Sequence, residues 1–87
     1  MKVYQYEDSV GTKAKQLMFE VDEVNTLTIV GTHPVEDLYV SFDGGTTWWT
    51  EGDVFLYSFG KEKIKLDHKV WVKGTGAGTT FEVLITA

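Results

Sequence analysis

The residues able to do chemistry in this chain are few and poorly arranged for it. His33 and His68 stand singly in turn-like segments, "GTHPVED" and "KLDHKV". Neither has the H-x-x-x-H or H-E-x-x-H spacing that brings two imidazoles onto one metal. Ser9, Ser41 and Ser58 lack the G-x-S-x-G context that exposes a serine nucleophile at a strand-to-helix turn. Acidic pairs such as Asp22-Glu23 and Glu36-Asp37 fall at predicted strand ends, outside any calcium-loop pattern. "KGTGAGTTFEV" has the glycines of a phosphate loop. A β-branched strand follows them, however, where a helix would have to aim its N–H groups at the anion. These readings assign no catalytic residue, no metal and no cofactor, and they make 74–78 a flexible hairpin loop.

"SFDGGTTW", residues 41–48, is more specific. Asp43 has the short carboxylate that accepts backbone N–H groups across a turn. Gly44 and Gly45 permit the positive φ angles of a tight hairpin. Thr47 adds a hydroxyl, and Trp48 can cover the turn and keep water from its hydrogen bonds. With Ser41, these residues complete S-x-D-x-G-x-T-W and resemble the Asp box of sialidases. In that family the Asp box is a structural rivet repeated around a propeller, away from the catalytic centre. This chain carries one copy and no arginine to grip a substrate carboxylate. The resemblance therefore implies a locked hairpin rather than a sugar enzyme.

A chain of 87 residues holds one domain, 1–87, near the size at which small folds need staples. It has no cysteine, so neither disulfides nor a thiolate metal site can help. Aromatic residues make up 14% of the chain and must supply much of the core. Net charge is −5, with eight lysines and no arginine. Without arginine's planar fork, sequence-specific nucleic-acid binding is not expected. The first residues lack the apolar run of a signal peptide, and nothing approaches a membrane span. Synthesis in a cytoplasm, without a membrane partner, is the expectation.

The elements that must position these residues have a period of two. Candidate strands are 2–7, 14–22, 26–31, 37–43, 46–50, 54–59, 62–66, 70–73 and 79–86, with Gly, Asp, Asn or Pro between most of them. The pattern predicts an all-β domain: a small antiparallel β-sandwich or barrel, Ig-like or jelly-roll-like, of about seven to nine short strands. Alternation assigns the core to Leu17, Phe19, Val21, Leu27, Ile29, Leu38, Val40, Phe42, Phe81, Val83 and Ile85. Residues 54–59 are apolar on both faces, as in a strand covered on both sides. In "EKIKLDHKVWVKG" a two-residue loop would turn Val70 and Val72 to the wrong face. A three-residue loop, 67–69, pairs Leu66 with Val70 and Ile64 with Val72, and is the predicted register.

That hairpin would gather Lys61, Lys63, Lys65 and Lys73 around Trp71, with Lys63 opposite Lys73. Such a face either discourages edge aggregation or meets an acidic partner with Trp71 as anchor. Trp48 and Trp49 face opposite ways in an extended strand. If Trp48 locks the turn, Trp49 is predicted on the outer face with Tyr39, joined by Tyr57. Exposed Trp and Tyr together suit an interface or a sugar-stacking platform.

"LYVSFDGGTTWW" followed by "KVWVKGTGAGTTFEVLIT" resembles small β-domains of tailed-bacteriophage virions, of the capsid decoration and head-fibre type. The resemblance covers about the last fifty residues. It implies a non-enzymatic virion protein that reinforces a capsid through protein–protein contacts as a homo-oligomer, often a trimer. The alternatives are a carbohydrate-binding module stacking sugars on Trp49, Trp71 and Tyr39, and a tail, connector or baseplate component.

Overall fold

The computed structural model describes residues 2–19, 21, 23–50, 54–58, 64–65 and 70–87, with only the backbone course for 54–58 and 64–65. The described residues form ten strands and no helix. They are β1 (Val3–Val10), β2 (Lys15–Gln16), β3 (Glu23–Val24), β4 (Thr26–Gly31), β5 (Leu38–Ser41), β6 (Trp49–Thr50), β7 (Val54–Ser58), β8 (Ile64–Lys65), β9 (Trp71–Gly74) and β10 (Thr79–Thr86). Every pairing is antiparallel.

The pairings are nested. β1 pairs with β10, β2 with β9, β3 with β8, β4 with β7 and β5 with β6. The chain is thus one long two-stranded ribbon whose closed end is the β5–β6 turn. Rolling that ribbon up adds two further contacts, β10 with β4 and β9 with β5. The products are two four-stranded sheets, β1-β10-β4-β7 and β2-β9-β5-β6, with β3-β8 as a short third ladder. A ribbon rolled into two sheets in this way is a jelly roll, the second of the two architectures expected from the alternation.

The core explains why the roll closes. Leu27 and Ile29 of β4 align with Ile85 and Val83 of β10, and Val40 of β5 aligns with Val72 of β9. All six are buried, together with Phe81, Leu38, Leu17 and Val70. Phe19, Val21 and Phe42 pack against this cluster half-buried. Removing one such side chain from water stabilises by about 1.5–3 kcal/mol. Val10 and Val24 also belong to the core, although the sequence placed both in turns. β1 runs on through Val10 because the long β10 offers partners as far as Thr79.

Three expectations are corrected. Ile64 and Lys65 do not pair with 70–73 as a hairpin: Ile64 pairs with Val24 and Lys65 with Glu23, and the expected Leu66–Val70 pair falls on Leu66, which lies outside the described residues. β9 has only two edges, and β2 and β5 occupy both, so Lys73 lies opposite Tyr39 rather than Lys63. Residues 14–22 are not one strand. The paired part is Lys15–Gln16, extended by a hydrogen bond from Leu17 N–H to Val70 C=O at 2.9 Å, because the partner strand β9 is short. Finally, 74–78 is not a hairpin loop, since β9 and β10 lie in different sheets. It is a corner between sheets, tied down through Thr75. Thr75 N–H donates to Asp37 C=O, its hydroxyl donates to Glu36 at 2.8 Å, and Asp37 N–H donates to that hydroxyl at 3.0 Å.

Candidate functional site

The β5–β6 turn is held by two side chains. Ser41 is fully buried, and its Oγ accepts from Gly45 N–H at 2.9 Å while donating to Asp43 Oδ1 at 2.8 Å. The same Oδ1 accepts from Thr46 N–H at 3.1 Å and Thr47 N–H at 2.8 Å. These bonds favour the carboxylate form. The Thr47 N–H is the largest influence, followed by the hydroxyls of Ser41 and Thr47, and Asp43 is held down at about 2. Gly44 and Gly45 take φ values of 79° and 94°, which side chains with a Cβ resist. Trp48 lies against the turn, with its Cζ2 3.6 Å from where a Cβ on Gly45 would stand. The Asp-box reading of Ser41, Asp43, Gly44, Gly45, Thr47 and Trp48 as a locked hairpin therefore describes the turn as it is built.

The turn also sets the register of β6 against β5. Val40 faces Trp49 across the ladder, and Tyr39 faces Thr50. Residues opposite each other in an antiparallel pair share a side of the sheet. Trp49 is therefore on the side of buried Val40, at an edge strand that leaves it 52% exposed. Trp48, two residues before Thr50, takes the side of Tyr39. This reverses the expected placement of Trp49 beside Tyr39. Parity alone could say that the two tryptophans diverge; only the turn geometry decides which goes where.

The outer side of the β2-β9-β5-β6 sheet then has two cross-strand rows. Gln16, Trp71 and Ser41 form one, and Lys73, Tyr39 and Thr50 the next. Lys73 Nζ stands 5.6 Å from the Tyr39 ring centre and 4.3 Å from the Trp48 ring centre. A cation over two ring faces contributes about 0.5–1 kcal/mol at an exposed site and fixes the rings it touches. Tyr39, Trp48, Trp71 and Lys73 are all half-buried, so each keeps surface for a partner.

The remaining predicted residues do not join them. Tyr57 pairs with Leu27 in the opposite sheet, and Lys65 with Glu23 in the third ladder. Lys61 and Lys63 lie outside the described residues, as does His68. His33 is part of a turn, where its Nδ1 accepts from Glu36 N–H at 2.9 Å and Val35 N–H at 3.2 Å. Among the described residues no three His, Asp or Glu side chains are grouped to hold a metal, and no helix is long and apolar enough to cross a membrane.

Two features of the other sheet were not foreseen. Glu7 and Glu82 lie directly opposite each other on β1 and β10. The Glu7 side chain, by hydrogen bond and by charge, raises the pKa of the Glu82 carboxyl. Below β1 is a half-open cleft of about 430 Å³, lined by Val3, Tyr4, Gln5, Tyr6, Met18 and Ile85. The Tyr6 hydroxyl is buried there without a hydrogen-bond partner among the described residues. Burial, with a smaller part from the Asp8 charge, pushes its pKa up to about 12. No protein-family model matches the chain, and no curated protein matches it significantly.

Proposed function

We propose that this chain is a non-enzymatic virion structural protein that decorates or reinforces a tailed-phage capsid. The contact surface in this reading is the outer face of the β2-β9-β5-β6 sheet. The observation that carries it is Lys73 poised over Tyr39 and Trp48, in the sheet row next to Trp71. Tryptophan and tyrosine are the usual anchors of protein interfaces. In a chain of net charge −5, this cationic spot is distinct. Jelly rolls build capsid proteins, though they build lectins as well, so the fold supports the reading by analogy alone.

The arrangement favours a protein partner over a sugar at this face. Lys73 covers the Trp48 ring, and Gly45 lies against another part of it. A stacked sugar would have to displace the lysine. The carbohydrate-binding alternative rests instead on Trp49, which is 52% exposed and has no such cover among the described residues. Titrating a glycan panel while following tryptophan fluorescence separates the two. A saturable shift that disappears in Trp49→Ala supports sugar binding. No shift, together with the chain's presence in purified virions by mass spectrometry, supports assembly. Recovery with tail rather than head fractions would move it to a tail or connector role.

A further inference from the structure

The longest sheet edge in the described structure is β1, and half of it is unguarded. Lys2 and Ala87 exchange both backbone hydrogen bonds, Lys2 N–H to Ala87 C=O at 3.0 Å and Ala87 N–H to Lys2 C=O at 2.9 Å. Bonding alternates along an antiparallel ladder. Tyr4, Tyr6 and Asp8 therefore bond to β10, while Val3, Gln5, Glu7 and Ser9 turn their N–H and C=O groups to the open side. Ser9 is capped, because its N–H donates to Asp8 Oδ1 at 2.8 Å and Asp8 Oδ2 holds Lys15 Nζ at 2.6 Å. No described residue caps Val3, Gln5 or Glu7. Val3 is itself 59% exposed, and Met18, 65% exposed, stands with it at the cleft below β1. Natural proteins usually blunt such an edge or pair it.

We propose that the free edge of β1 from Val3 to Glu7 pairs, antiparallel and two-fold, with the same edge of a second copy of this chain. The sequence of β1 is complementary to itself in one register. With the axis at Gln5, Val3 lies opposite the partner's Glu7 and Tyr4 opposite the partner's Tyr6. Lys2 then lies opposite the partner's Asp8, an opposite-charge pair repeated at both ends by symmetry. In the same register the outward N–H and C=O groups of Val3, Gln5 and Glu7 meet those of the partner's Glu7, Gln5 and Val3. Placing the axis at Tyr4 sets Lys2 against Tyr6, and placing it at Tyr6 sets Lys2 against Val10. Placing it at Glu7 sets two carboxylates together. Only the Gln5 axis gives Lys2 a carboxylate. The pairing would join two four-stranded sheets into one, and it does not depend on the virion reading.

The absence of native cysteine makes the register directly testable. Cα atoms of a hydrogen-bonded antiparallel pair are about 5.5 Å apart, within disulfide reach. Gln5→Cys should cross-link to itself under mild oxidation. Val3→Cys and Glu7→Cys should cross-link when mixed, but neither alone. In light scattering with size exclusion, the full chain at micromolar concentration should be a dimer. Gln5→Pro, which removes only an outward N–H, should be a monomer with nearly the wild-type melting temperature. A wild-type monomer or trimer overturns the proposal. So does a Gln5→Pro protein that remains dimeric, or a Gln5→Cys protein that fails to cross-link. If Gln5→Pro does not fold, the cysteine variants decide alone.

Discussion

Lys73 on β9 and Trp48 beside β6 meet across the intervening strand β5, with the ammonium 4.3 Å from the indole ring centre. The contact links the Asp-box turn to the middle of its sheet. One side of Trp48 covers the turn, and the ring also seats the lysine of the outer face. The motif thus shapes the candidate surface and contributes Trp48 to it.

Removing the Ser41 hydroxyl should show how much the turn depends on it. Ser41→Ala leaves Gly45 N–H without its acceptor and takes a hydrogen bond from Asp43. A loss of about 1–3 kcal/mol is expected. That corresponds to a melting temperature lower by roughly 4–24 °C for a domain this small. Calorimetry checks it; an unchanged melting temperature would show that the turn holds without the hydroxyl.

The Asp43 carboxylate gives the turn an acid signature. Its folded pKa is depressed from 3.8 to about 2. Its contribution is therefore complete above the ordinary carboxylate range and fades as pH falls from about 4 toward 2. Asp43→Asn should remove that part of the acid sensitivity. Melting curves for the two proteins should differ at pH 6 and draw together near pH 2.

Glu82 should behave in the opposite sense. Its folded pKa lies above the ordinary 4.5 because Glu7 faces it. The folded state holds the proton more tightly, so stability declines as pH rises from the ordinary value through the raised one. Glu82→Gln should melt higher than wild type at pH 7, and the gap should close below pH 4.

Gly74 tests the corner between the sheets. A Cβ there would run into the Thr79 side chain, which is itself fully buried. Gly74→Ala should cost about 1–3 kcal/mol by overpacking. Gly76→Ala, whose Cβ would first meet the carboxylate at the far end of the flexible Glu36 side chain, should cost less. Equal losses in denaturant melts would contradict this packing.

Tyr6→Phe removes a buried hydroxyl that has no described partner. Stability should hold or rise by up to about 1 kcal/mol. A clear loss would show that the hydroxyl is satisfied in solution.

Local patterns in this chain were legible, and long-range pairings were not. Strands 26–31 and 79–86 match β4 and β10, because clean alternation between buried Leu27, Ile29, Phe81, Val83 and Ile85 and their more exposed neighbours leaves one solution. The Asp-box turn was legible because its bonds all fall within a few residues. The nested ribbon was not. Ile64 and Val72 look like hairpin neighbours by spacing, yet β3 and β8 pair across some forty residues, and β9 is flanked by strands from elsewhere in the chain. Hydrophobic parity says which face a strand buries and nothing about which strand lies beside it. For the same reason Lys65 and Tyr57 fall away from the faces expected for them, and Tyr39, expected beside Trp49, instead lies next to Lys73 in the row adjoining Trp71.

Binding to capsids that lack this protein tests the proposed role most directly. On the capsid reading, purified wild-type chain mixed with undecorated capsids of the particle it is proposed to decorate should co-sediment and saturate at a fixed ratio. Trp71→Ala combined with Lys73→Gln, a variant expected to fold, should bind at least about thirtyfold more weakly, the effect of losing a hot spot worth about 2 kcal/mol. Wild-type protein that stays in the supernatant, or a variant that binds as tightly as wild type, would contradict a capsid role for this face.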